Sequence, residues 1–95
     1  MTLPDFSPEA QQDLTQIHDY IAQDSPDAAL RLVVSLEQHC QTIADNPMIG
    51  QSRPELLHAL RSFAAGSYII FYRPTDDGIC ILRVINGARD IGTLF

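Results

Sequence analysis

Leu60-Arg-Ser-Phe-Ala-Ala-Gly-Ser-Tyr-Ile-Ile-Phe-Tyr-Arg-Pro74, then Thr75-Asp-Asp-Gly78 and Ile79-Cys-Ile-Leu-Arg-Val-Ile-Asn-Gly-Ala-Arg-Asp90, is the stretch that decides the fold. Tyr68 to Arg73 is dense in aromatic and β-branched residues, which suit a pleated, half-buried surface. Asp77-Gly78 is a hairpin turn signal. Ile79 to Ile85 is apolar at nearly every alternate position, which predicts a central strand covered on both faces. Leu60 to Ala65 forms the strand before them, ending at Gly66-Ser67. Three strands joined by turns this short make an antiparallel meander. Strict alternation along the last strand places Arg83 on the face of Ile79, Ile81 and Ile85.

Upstream of the meander the period changes from two to 3.6. Ser7-Pro8-Glu9 starts a helix: serine caps the free amides, proline fits the first helical position and glutamate complements the dipole. Ala10, Leu14, Ile17 and Ile21 share one face of it, with Tyr20 beside them, while Gln11, Gln12, Asp13, Gln16 and Asp19 fall largely elsewhere. Ser25-Pro26-Asp27 repeats the start signal. Ala28, Ala29, Leu32, Val33, Leu36, Cys40 and Ile43 then form a wide apolar stripe running to about Asp45, before Asn46-Pro47. The link between the helices is too short for anything but an antiparallel hairpin. Asn46 to Glu55 reads as a loop, and Leu56 to Ala59 as either a helical turn or the approach to a strand. Thr2 to Phe6, with Pro4, suits an edge strand. Leu94-Phe95 reads as docked on the domain.

The 95 residues make one domain, 1–95, with a single core and little stability in reserve. The longest apolar runs are too short for a bilayer crossing, and the N-terminus has no signal-type core, so the cytoplasm is the expected compartment. Cys40 and Cys80 read as reduced core residues. His18, His39 and His58 are too scattered for a metal site, and no cofactor is expected. All six basic residues are arginine, and the net charge is −6. Residues 1–60 carry two arginines against nine acids, and residues 61–95 four against three. Such a chain is poorly suited to hold a phosphate backbone, whereas its acidic helical half suits a basic protein partner or, equally, a merely solvated face.

In their order and spacing these residues resemble the ParE branch of the RelE/ParE toxin superfamily. The resemblance runs from Ser7-Pro8-Glu9-Ala10 with Asp13-Leu14, Ile17 and Tyr20-Ile21, through Ala28-Ala29, Asn46-Pro47, Gly50 and Leu60-Arg61-Ser62. It continues through Gly66, Tyr68, Ile70 and Tyr72-Arg73 to Ile81-Leu82-Arg83-Val84 and Gly87-Ala88-Arg89-Asp90. It implies an α+β fold: a short N-terminal strand, an antiparallel helical hairpin, and a curved three-stranded antiparallel β-meander packed on the helices. It also implies that the first strand pairs with the sheet. RelE-like members cut mRNA at the ribosome. ParE-like members poison DNA gyrase without a recognised active site. Both are silenced by an antitoxin whose other part binds operator DNA. The implied partners are therefore a ParD-like antitoxin and DNA gyrase, with DNA reached only through the antitoxin and no membrane contact. A homodimer is expected when the antitoxin is absent.

Metal-free RNA cleavage needs a base, cations for the phosphate and an acid. Lysine is absent here, no histidine follows His58, no tyrosine follows Tyr72, and Asn86 stands where many relatives carry histidine. These residues favour a gyrase-type binder with no catalytic residues over a ribonuclease acting through Arg61, Arg83 and Arg89. A non-toxic co-repressor held by its antitoxin is the third reading. Arg61, Arg83 and Arg89 are the candidate target contacts. Arg83 also suits an ion pair with Asp90 or with an acid from the helices, and Arg73 a solubility role. The helical hairpin groove, with Leu14, Ile17, Ile21, Leu32 and Leu36, is the expected antitoxin surface, although such stripes are core positions first. Tyr68, Ile70 and Tyr72 share a face, packed in the core with hydroxyls at its rim.

Overall fold

The structure is a computed structural model that describes residues 2–89 and 91–95. Strand β1 (Asp5–Phe6) leads into helices α1 (Pro8–Ala22) and α2 (Pro26–Asp45). Strands β2 (Gln51–Ser52), β3 (Arg61–Ala65), β4 (Tyr68–Thr75) and β5 (Gly78–Asn86) follow, and a 3₁₀ turn spans Ile91–Thr93. The sheet order is β1-β5-β4-β3-β2. The meander β3-β4-β5 is antiparallel, as the sequence predicts, and β1 lies parallel to β5. β2 is an addition: two polar residues with no alternation carry no strand signal, and their pairing with Arg61 and Ser62 comes from the chain doubling back.

The helix starts follow their capping chemistry. Ser7 Oγ accepts from the amide of Ala10 at 3.0 Å, and Ser25 Oγ from that of Ala28 at 3.2 Å. Ser7 also ties the helix to the sheet. Its amide donates to the carbonyl of Ile81 and its hydroxyl to that of Leu82, continuing the β1–β5 ladder into the cap. The hairpin then lies across one face of the sheet. Leu36, Cys40 and Ile43 of α2 pack there with Ile70, Tyr72, Ile79, Ile81 and Val84, and Leu14, Ile17 and Leu32 lie partly buried against them. On the opposite face Leu60, Phe71 and Ile85 are covered by Leu56, Leu94 and Phe95, the last with its ring 5.1 Å from that of Phe71. The C-terminal pair is docked, as expected, and β5 is central with both faces covered.

The alternation along β5 is broken. Phe71 faces Arg83, but Tyr72 faces Ile81, so Leu82 is an extra residue in a β-bulge. Ile79 and Ile81 point to the helices, whereas Ile85 belongs to the opposite cluster. The expectation of one shared face for Ile79, Ile81, Arg83 and Ile85 is thereby corrected: the bulge shifts the side-chain period by one. Pro74 sits within β4, opposite Ile79, beyond the point where β3 stops at Arg61. Its missing N–H faces that open side, so the strand runs through the proline instead of ending at Arg73. Gly66 takes the left-handed φ of 61° in the two-residue turn between β3 and β4. Cys40 and Cys80 are free thiols. Among the described residues, no helix is long and apolar enough to cross a membrane.

Candidate functional site

The three arginines proposed from the sequence have three different environments. Arg83 is joined to Asp13 of α1. Its Nε donates to Asp13 Oδ2 at 2.8 Å and its terminal nitrogen to Oδ1 at 3.0 Å. The backbone amide of Val84 donates to the same Oδ2 at 2.9 Å. These bonds hold the guanidinium pKa above its usual value, and burial works against them. Asp13 is only 7% exposed, so its placement on the polar side of α1 is corrected. Helical spacing alone put it there; the open edge of β5 beyond Phe6, where β1 stops, draws it inward to serve an amide that no strand reaches. The acid from the helices is thus Arg83's partner; Asp90, the other candidate, lies outside the described residues.

Arg61 holds a loop. Its guanidinium donates to the carbonyls of Met48 at 3.0 Å and Gly50 at 2.7 Å. Tyr72 works from the next strand: its hydroxyl donates to the carbonyl of Pro47 at 2.8 Å and accepts from the amide of Gly50 at 2.8 Å. Tyr72 is 0% exposed, so its hydroxyl is buried and not at the rim. A Cβ on Gly50 would lie 2.6 Å from that oxygen, so only glycine lets the loop close over the ring. The loop is tied down through its backbone yet exposes Met48 and Ile49.

Arg89 is the exposed member of the three. It lines a cleft of about 240 Å³ between α1 and the ends of β4 and β5, together with Gln16, Tyr20, Tyr68 and Asn86. Asn86 folds the chain here. Its Oδ1 accepts from the amide of Ala88 at 2.9 Å and its carbonyl from that of Arg89 at 3.0 Å. No local pattern in the sequence joins Arg89 and Asn86 to Tyr20 and Gln16, because only the packing of α1 on β5 brings these together.

A second concavity, about 380 Å³, runs between the helices. Phe6, Leu14 and Val33 supply apolar walls, and Gln11, His18 and Glu37 polar ones. Of the five residues expected on an antitoxin surface, Leu14 lines this groove and Ile17 lines the Arg89 cleft. Ile21 and Leu32 are half-buried, and Leu36, 1% exposed, is closed within the core. Phe6 and Val33 were missed as groove residues; Val33 stands in the predicted stripe, but its outward position depends on the hairpin's rotation.

The family model described as "ParE toxin of type II toxin-antitoxin system, parDE" matches residues 5–91, and the chain belongs to that family. It is 33% identical over 88 residues to Toxin ParE1 of Mycobacterium tuberculosis, covering 90% of each chain. It is also 35% identical over 77 residues to Toxin RelE2 of Caulobacter vibrioides, covering 81% of this chain and 85% of the relative. Among solved structures, the chromosomal ParDE TA system from P. aeruginosa has the same fold with a TM-score of 0.76. That match has 22% identity and covers 90% of this chain and 96% of the other.

Proposed function

We propose that this toxin acts by binding DNA gyrase and that a cognate antitoxin neutralises it by laying an amphipathic helix in the groove between α1 and α2. The carrying observation is the internal use of the cations. Arg83 is held by Asp13, and Arg61 by two loop carbonyls, so two of the three arginines that a ribonuclease would turn toward a phosphate are engaged within the fold. Tyr72, the last phenol, is buried and bonded at both its donor and acceptor. Asn86, at the end of β5, carries an amide where proton transfer would need a titrating group. The family match and the similarity to Toxin ParE1 support the same reading. Operator DNA would be reached through the antitoxin.

The similarity to Toxin RelE2 favours a second reading, ribosome-dependent cleavage of mRNA. Inducible expression with and without a cognate antitoxin, assaying supercoiling and message integrity together, separates the two. The binding reading expects growth arrest with impaired supercoiling and intact transcripts. Codon-linked cuts with unaffected gyrase would overturn it.

A further inference from the structure

The cleft that holds Arg89 has its own recognition chemistry. Tyr20, on α1, is 73% exposed, a large aromatic that the core does not use. Tyr68, at the start of β4 and half-buried, lines the same cleft. The backbone beneath is fixed: the amide of Gly87 donates to the carbonyl of Ser67 at 2.8 Å, and Asn86 closes the turn leading to Arg89. With Asn86 Oδ1 engaged by Ala88, its NH₂ is the side-chain group left to serve a ligand. Gln16 adds a second amide at the rim. Asp13 also lines the cleft, but its charge is matched by Arg83. Among the described lining residues, the charge that governs the cleft is therefore the guanidinium of Arg89.

A guanidinium, an amide donor and two phenol rings around one small cleft match a carboxylate flanked by an apolar or aromatic side chain. The field of the chain disfavours a nucleic acid strand. A chain of net charge −6 with one cation at the site repels a polyphosphate, while a single carboxylate loses little to that field. We propose that this cleft docks an acidic segment of the protein on which the toxin acts, with the carboxylate on Arg89 and Asn86 and its apolar neighbour between Tyr20 and Tyr68. This rests on the protein-binding reading above and assigns it a contact surface separate from the groove between the helices.

The test is an amide-resolved NMR titration of the full chain with a capped Gly-Glu-Phe-Gly peptide, its Gly-Gln-Phe-Gly counterpart and a short oligouridylate. The glutamate peptide is expected to shift Gln16, Tyr20, Tyr68, Asn86 and Arg89. The glutamine peptide, and the Arg89→Gln or Tyr20→Ala variants, should bind about tenfold more weakly with unchanged melting. Both variants alter exposed side chains, so the fold is retained. No response at the cleft to millimolar glutamate peptide, equal binding of the glutamine peptide, or stronger binding of the oligouridylate would overturn the proposal. Growth arrest and inhibition of gyrase supercoiling by the unaltered chain are read separately. Failure to see either counts against the toxin reading, while peptide binding alone decides the cleft.

Discussion

Asp13 of α1 and Arg83 of β5, joined by hydrogen bonds of 2.8 and 3.0 Å, close the edge of the sheet where β1 ends. The same carboxylate accepts the amide of Val84, so one helical side chain supplies the acceptor that no strand offers there. The pair also fixes how α1 sits on β5, and that seating forms one wall of the Arg89 cleft.

Removing the carboxylate leaves both a buried backbone amide and a guanidinium unmatched. Asp13→Ala is expected to destabilise the fold by about 3–5 kcal/mol, read as a lower urea midpoint. Arg83→Met alone should cost less, because Asp13 keeps Val84. The double variant should lose less than the sum of the two single changes. Additive losses would show that the contact is not energetically coupled.

Gly50 and Tyr72 make a second coupled pair. Tyr72→Phe strips the bonds to Pro47 and Gly50 and should cost about 1–3 kcal/mol. Gly50→Ala should also destabilise, since its Cβ would lie 2.6 Å from the hydroxyl, 2.7 Å from a ring carbon and 2.8 Å from the carbonyl of Ser62. Tyr72→Phe relieves only the first of those approaches. The double variant should therefore stay less stable than Tyr72→Phe alone; recovery to the Tyr72→Phe midpoint would show that the hydroxyl was the whole obstacle.

Burial pushes the Cys40 thiol up from 9.0 to about 12, with Glu37 adding to the rise. Above pH 9 the unfolded chain loses this proton while the native chain keeps it, so the stabilisation is complete below pH 9 and is lost as pH rises toward 12. Between these limits the fold should lose about 1.4 kcal/mol per pH unit from this group, and Cys40→Ala should flatten that slope even though it lowers stability overall. Thiol reagents at mildly alkaline pH should label Cys80, which is partly exposed, well before Cys40. Equal labelling rates would mean that α2 opens readily.

The groove between the helices is testable without touching the core. Thr15, exposed on α1, lines it beside Leu14, and Glu37 faces it from α2. Thr15→Arg should block an incoming helix, and Glu37→Lys should repel one with a basic flank. Each is expected to weaken antitoxin binding about tenfold at low salt, with the melting temperature within a few degrees of the unaltered chain. Full binding by both variants would place the antitoxin elsewhere.

The amino-acid order by itself determined the helix starts, the hairpin and the meander, because caps, prolines, turn residues and apolar periods act over a few neighbouring residues. Ser7 and Ser25 cap where they were expected, and Leu94 and Phe95 dock. The tertiary structure alone decided how the arginines are used. Arg83 meets Asp13 across the edge of β5 that β1 leaves open; Arg61 reaches Met48 and Gly50 only because the chain doubles back along β3. A guanidinium's partner is set by which segments fold beside it, here across as many as 70 positions of sequence, and no local period carries that information.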